Sequence, residues 1–256
     1  MDSVTGEGLN LQHKQQLQHD GYLPLRNVVS QELVTRAIHA INACMGEGAP
    51  PEELPGWRQR GWFPDLAPQP VITDLFNASG LREIVEELLG KGNVTHSGRG
   101  QLALRFPSPH DAPHREPGPH IDGLYTPLNG VTRGTLSSFT TLVGVFLTPL
   151  ERENAGNFAV WPGSHLKMQE YFRAHGPDLL LNEGKTPRLD YGQPLHLLAQ
   201  PGDAVIAHYQ LMHGIAQNRV HFPRYTVFFR IKHPDHDLHR NECLTDLWRE
   251  WPGIRD

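Results

Sequence analysis

Residues Pro201–Arg230 read PGDAVIAHYQLMHGIAQNRVHFPRYTVFFR. Two apolar runs stand out in this stretch, Ala204–His208 and Arg224–Ile231. Each is short, rich in β-branched and aromatic residues, and bounded by turn formers such as Pro201-Gly202 and Pro223. Those are the marks of strands rather than helices. Similar runs precede them at Gln101–Phe106, Ser138–Leu147, Asn157–Val160 and Leu195–Leu198. Many short strands at near-regular spacing, with little helical periodicity among them, predict a β-sandwich, barrel or jelly roll.

The first third of the chain has a different texture. Residues 9–20 suit a short polar helix, and Gly21–Arg26 a strand. Ser30 can cap a helix over Gln31–Met45, whose Leu33, Ala37, Ile38 and Ile41 share a face and which Gly46 would end. Residues 46–70 are rich in Pro and Gly and are read as a long loop, with Trp57, Trp62 and Phe63 as packed anchors. Another helix is predicted over Leu81–Leu89, ended by Gly90. Residues 107–119, PSPHDAPHREPGP, must be loop. The expected organisation is a helical region over 1–92, a β core over 93–232, and a C-terminal extension over 233–256 with a short helix near Leu244–Glu250.

Composition narrows the function. The chain has 256 residues, a formal net charge of −5 and 38% hydrophobic residues, enough for a packed core. No run of Lys or Arg offers a nucleic-acid stripe, and no apolar run approaches the ~20 residues that span a bilayer. The polar start Met1–Asn10 is not a signal peptide. Cys44 and Cys243 lie far apart and outside any CxxC pattern, so they are read as free thiols of a reducing, cytoplasmic compartment. Sixteen His against two Cys lean towards imidazole and carboxylate metal chemistry.

The central constellation is His120-Ile121-Asp122. Along a strand, residues two apart point the same way, so an imidazole and a carboxylate can converge on one point. His213, following the strand Ala204–His208, is the best third ligand. Two His and one carboxylate form the facial triad of non-haem Fe(II) oxygenases, which leaves three positions for a bidentate 2-oxo acid and O₂. A lone HxD pair is equally a polar loop in so His-rich a chain. Arg224, eleven residues after His213, adds to the signal. If it is buried inside the β core, beside the His213 strand, its charge needs an anionic partner, and the far carboxylate of 2-oxoglutarate would serve. The bland reading is a surface Arg in the turn after Pro223.

Four pieces in order resemble the phytanoyl-CoA dioxygenase (PhyH) family of Fe(II)/2-oxoglutarate oxygenases. They are DGYLPLRNVVS (Asp20–Ser30), His120-Ile121-Asp122, GNFAVWPGSH (Gly156–His165) and Pro201–Arg230, the last holding the distal His, Asn218 and the Arg. The resemblance implies a mainly β, cupin-like double-stranded β-helix (jelly roll) with flanking helices. It implies iron on His120, Asp122 and His213, and 2-oxoglutarate on Arg224. The implied reaction consumes O₂, splits 2-oxoglutarate to succinate and CO₂, and oxidises a small substrate, usually by hydroxylation. Asp122 separates the chain from related halogenases, which carry a small residue there. Where family members often have Ser, two residues after the distal His, this chain has Ile215. Two other readings remain, a non-catalytic ligand-binding jelly roll and a zinc hydrolase built on the same His and Asp groups.

The remaining candidates carry less. Thr140 or Thr141 could offer a hydroxyl to the co-substrate, Thr140 being favoured on strand parity. In Gln101–Phe106, Gln101 and Arg105 share one face and Leu102 and Leu104 the other, and which face looks inward is open. Arg105 and His208 are candidate pocket residues. Trp161 either closes the substrate cavity or packs the β core. Arg58 and Arg60 are surface charges unless an acidic substrate meets them. His110 and His114 are read as loop residues. His233, His236 and His239 are read as a solvated cluster rather than a second metal site. The expected partner is a small molecule, with neither nucleic acid nor membrane, and the chain is a monomer or homodimer.

Overall fold

A computed structural model describes residues 8–178, 180 and 185–255. The start of the polar N-terminal segment, residues 179 and 181–184, and the last residue thus lie outside the described residues. Helix α1 (Leu11–Asp20) leads into strand β1 (Tyr22–Leu25), and α2 (Gln31–Glu47) follows. Ser30 caps α2 as expected, accepting the Leu33 N–H at 3.3 Å, but the helix runs on through Gly46 to end at Gly48. Next come α3 (Leu54–Arg60), α4 (Pro70–Asn77) and α5 (Leu81–Leu89). The predicted loop 46–70 therefore contains a helix. Pro55 and Pro70 sit in the first turns of α3 and α4, where a missing N–H costs nothing, so proline here starts helices rather than excluding them.

The β region begins with β2 (Gln101–Arg105), β3 (Thr141–Phe146) and β4 (Phe158–Val160). After α6 (Ser164–His175) come β5 (Leu195–His196), β6 (Ala204–His208), β7 (His213–Ile215) and β8 (Arg224–Ile231). A five-stranded sheet runs β1-β6-β3-β8-β2 and a three-stranded sheet runs β5-β4-β7, all neighbours antiparallel. Two antiparallel sheets with flanking helices form the expected jelly-roll, cupin-like fold. Arg224 does not run beside the His213 strand: β8 lies between β3 and β2, while β7 belongs to the opposite sheet.

The large sheet is covered on both faces, which is why β3 and β6 read as unbroken apolar runs. Its outer face carries Val143, Val145, Ile206, Val227 and Phe229, packed on Ala37, Ile41, Leu75, Phe76 and Leu88 of the helices. The inner face carries Leu142, Phe146, Val205 and Phe228, packed on Phe158 and Val160 of the small sheet. Sheet parity thus answers the question left open for β2. Leu102 and Leu104 join the helical side, and Arg105 takes the inner parity with Ala103.

The C-terminal extension differs from expectation. Its helix is α7 (His236–Thr245), not Leu244–Glu250, and a short turn, α8 (Pro252–Arg255), follows. His236 is not a solvated residue. It is 2% exposed, with Nε2 2.8 Å from Ser138 Oγ and Nδ1 2.8 Å from Glu250 Oε2. The Thr140 hydroxyl donates to the same Glu250 carboxylate at 2.6 Å. The network ties the extension to the end of β3. A hydrogen bond to a charged group is worth about 1.5–3 kcal/mol, and losing this one leaves the buried Glu250 carboxylate less well satisfied. His236→Ala is therefore expected to lower the thermal midpoint by several degrees for a chain of this size, and an unchanged midpoint in a calorimetric scan would show that the network is not holding the extension.

Candidate metal and co-substrate site

His120 and His213 come together through the backbone. They form an isolated antiparallel bridge, each N–H donating to the other's C=O at 3.0 Å. Opposed residues in such a bridge present side chains to the same side, and the two rings lie 4.7 Å apart between centroids. Ile121 points away into the core at 3% exposure, so alternation returns Asp122 to the side of His120 although no regular strand continues past the bridge. Gly214 permits the crossing: a Cβ there would stand 2.7 Å from the Gly118 carbonyl oxygen. One ligand atom from each of His120, Asp122 and His213 can be chosen so that all three lie within 4.8 Å of one another. Asp122 Oδ1 is 3.8 Å from His120 Nε2 and 3.7 Å from His213 Nε2.

The rest of the geometry sets protonation. His213 Nδ1 lies 3.0 Å from the Leu211 carbonyl and His120 Nδ1 3.4 Å from that of Gly118. Both Nδ1 atoms act as donors to a carbonyl, which leaves Nε2 of each ring free as a lone pair. Although 49% of the His120 side chain faces the open cavity, the surrounding protein lowers its pKa to about 4, with His213 the next cause. Neutral imidazole is the ligand form. Burial alone would raise Asp122, but Arg230 foremost, then His213 and His120, overrule it and hold the carboxyl far below its usual range. Arg230 donates to Asp122 Oδ2 from Nη2 at 2.6 Å and from Nε at 3.1 Å. One carboxylate oxygen is therefore occupied and the other faces the histidines.

Arg230 was missed in the sequence, yet a signal existed. Arg224, Thr226, Phe228 and Arg230 share the inner parity of β8, and two cations on one face of an otherwise apolar strand call for partners. Arg224 itself is 1% exposed. Nε donates to the Gly156 carbonyl and Nη1 to the Ala103 carbonyl, both at 2.8 Å. Nη2 is buried with no partner among the described residues, as is Thr226 Oγ1 on the same face. Burial first, and Arg105 second, lower the Arg224 pKa to about 9. Gly156, at φ +78°, brings its carbonyl to the guanidinium in a backbone conformation that suits glycine. Asn218 braces the turn into β8, donating to the Arg105 and Phe222 carbonyls at 2.8 and 2.9 Å.

A cavity of about 150 Å³ contains the triad and is walled by Leu142, Phe158, Phe228, Ile215 and Arg105. Four sequence candidates lie elsewhere. Thr140 has the inner parity, but its hydroxyl is taken by Glu250; Thr141 turns to the Ala207 carbonyl at 2.9 Å. His208 is a core residue between Trp248 and Trp251. It accepts the Gln210 N–H on Nδ1 and donates from Nε2 to the Leu247 carbonyl, which defines a neutral ring. Burial, then His165, lower its pKa to about 3. Trp161 is packed at 3% exposure inside the β core. The C-terminal extension has claimed Thr140, which strand parity had placed in the pocket, and His208, which its nearness to His213 in sequence had suggested.

Two imidazoles and one carboxylate on one side of a jelly-roll cavity define a mononuclear metal site of the facial-triad class. The family model for phytanoyl-CoA dioxygenase (PhyH) matches residues 17–226, and the chain belongs to this family of Fe(II)- and 2-oxoglutarate-dependent oxygenases. No curated protein matches the chain. Among solved structures it is similar to EctD from S. alaskensis in its apo form, at 20% identity and TM-score 0.58, over 91% of this chain and 82% of that one. It is also similar to the non-haem α-ketoglutarate-dependent carbocyclase SnoK from nogalamycin biosynthesis, at 17% identity and TM-score 0.55, over 94% of both chains. HygX from Streptomyces hygroscopicus, with nickel and 2-oxoglutarate bound, matches at 16% identity and TM-score 0.56, over 89% of this chain and 88% of that one. Family membership favours an enzyme over a non-catalytic jelly roll and an oxygenase over a zinc hydrolase. No helix among the described residues is long and apolar enough to cross a membrane.

The Arg230–Asp122 contact yields a test. Partners that orient metal ligands are worth about 10–100-fold in affinity. Arg230→Met is expected to weaken Ni(II) binding, measured calorimetrically, by about that factor. The deficit should widen as pH falls, because the freed carboxyl takes its proton at a higher pH. Equal affinity at every pH would show that Arg230 does not orient Asp122.

Proposed function

We propose that the protein is a dioxygenase that hydroxylates a small organic substrate, with iron held by His120, Asp122 and His213 and 2-oxoglutarate held by Arg224. The observation that carries this reading is Arg224: a buried guanidinium with two donors satisfied by backbone carbonyls and the third, Nη2, without a partner. A buried unpaired donor on a cation is costly unless an anion completes it. The distal carboxylate of 2-oxoglutarate fits that need in charge and in shape. Thr226 Oγ1, also unpartnered on the same strand face, supplies the hydroxyl contact first sought at Thr140.

Each group has a definable task. The two Nε2 atoms and Asp122 Oδ1 would hold the metal from one side, and three protein ligands would leave positions for co-substrate and O₂. Bound iron with 2-oxoglutarate and O₂ supplies the oxidising power, and succinate and CO₂ are released. Arg230 keeps Asp122 presenting a single oxygen. Phe158, Phe228 and Leu142 give the cavity an apolar side against which an apolar part of the substrate can rest. Asp122 leaves no ligand position for a halide in its place, which supports hydroxylation. Cys44 and Cys243 are both free, in keeping with the proposed cytoplasmic location.

Anaerobic addition of Fe(II) and then 2-oxoglutarate is expected to produce the weak visible metal-to-ligand charge-transfer band of a chelated 2-oxo acid. In Arg224→Ala, half-saturation by 2-oxoglutarate should rise about 10–100-fold, the equivalent of about 1.5–3 kcal/mol for a hydrogen bond to a charged group. A folded, metal-loaded protein with no band would overturn the reading, and an unchanged co-substrate requirement in Arg224→Ala would overturn the role of Arg224.

A further inference from the structure

The triad cavity does not end at the metal ligands. It opens into a cleft of about 950 Å³, and a second groove leaves it along the 107–119 loop. Of all lining residues, only Arg58 and Arg105 border the cavity, the cleft and the groove alike. Arg58 comes from α3 and Arg105 from the last position of β2. They are close enough to repel: Arg105 has its pKa lowered by burial and then by the Arg58 charge. Neither forms an ion pair or a side-chain hydrogen bond among the described residues.

The wider cleft repeats the pattern. Arg60, Arg99 and Lys185 also line it, and none is ion-paired among the described residues. Its acids are Glu53 and Asp122, the latter committed to Arg230. A chain of net charge −5 thus presents a cationic entrance to its metal site. Like charges held together without a counter-ion cost free energy that an arriving anion would recover. The guanidinium fork matches carboxylate or phosphate oxygens in pairs. Arg224 is already engaged by the proposed co-substrate contact, which leaves Arg58 and Arg105 for another anion. Beside them stands an apolar wall: Trp57 and Trp62 line the cavity, and the Trp62 ring meets Phe106 edge-on at 5.1 Å.

We propose that Arg58 and Arg105 form the specificity clamp of this enzyme, and that its substrate carries a carboxylate or phosphate on an apolar body which rests against Trp57 and Trp62. This deepens the oxygenase reading and rests on it. The clamp holds the acid end at the junction of the three spaces, so the apolar body extends towards His120 and Asp122.

Calorimetric titration of the anaerobic Fe(II)- and 2-oxoglutarate-loaded protein tests the clamp, with hexanoate, hexyl phosphate, hexanamide and hexanol as probes. The charge-transfer band, followed in the same samples, reports whether iron and 2-oxoglutarate remain in place. At least one acid should bind about tenfold or more tightly than both neutral probes, by the usual worth of a charged hydrogen bond. Which acid binds better separates a carboxylate substrate from a phosphate. Arg58→Ala should lose about tenfold of that affinity, Arg58→Lys should recover part of it, and Arg36→Ala, an exposed charge on α2, should lose none. The acid preference should also weaken with added salt. Neutral probes binding as well as acids, no acid binding at all, or Arg58→Ala matching the unmodified protein would each overturn the clamp. A missing band would count against the oxygenase reading instead, and the titrations would still judge the clamp.

Discussion

His120 and His213 exchange two backbone hydrogen bonds across a long stretch of chain, and the candidate site depends on that bridge. It sets the separation of two imidazoles by peptide geometry, which is stiff, rather than by side-chain rotamers, which are not. Everything around it maintains the register. Gly214 lets the Gly118 carbonyl pass close by, the Leu211 and Gly118 carbonyls aim the rings, and the Tyr209 hydroxyl donates to the Asp122 carbonyl at 3.0 Å. A metal ion entering this geometry finds its ligands already turned towards it, so little ordering is left to oppose binding.

The large sheet supports the bridge by separating two environments. Its outer face is a helix-covered core, and its inner face is shared between core and cavity. The inner parity of β8 passes from Arg224 through Thr226 and Phe228 to Arg230, so one strand supplies a buried guanidinium with an unpartnered nitrogen, an apolar wall and the partner of Asp122. The price of that economy is two guanidiniums on one face of the strand, Arg224 buried and Arg230 at the open end. Arg230 is neutralised by Asp122, whereas Arg224 is held by carbonyl dipoles and keeps one donor free. The asymmetry supports the tasks proposed for them: Arg230 is tied to Asp122, and Arg224 keeps a donor for an anion.

The C-terminal extension explains why local reasoning misled at two positions. Thr140 shares its parity with Leu142, which lines the cavity, and His208 lies five residues before His213. Glu250 and the Leu247 carbonyl reach them first. A segment remote in sequence thereby converts two candidate pocket groups into fasteners, and Glu250 draws in His236 as well. No pattern within residues 138–147 or 204–208 could announce this, because the competing partners are set by how the chain returns.

The sequence by itself determined the strands, the capped helix after Ser30 and the three candidate ligand side chains, because periodicity, capping and two-residue alternation are local consequences of backbone geometry. It also singled out Arg224, since a charge in an apolar strand is conspicuous without any coordinates. Only the tertiary structure decided that β8 reaches the site from the sheet opposite His213, that Arg230 holds Asp122, and that Thr226 rather than Thr140 stands free beside Arg224. It alone brought Arg58 against Arg105 at the entrance. Which partner a polar side chain finds depends on distances between segments far apart in the chain, and those are settled by how two sheets and a C-terminal cap pack together.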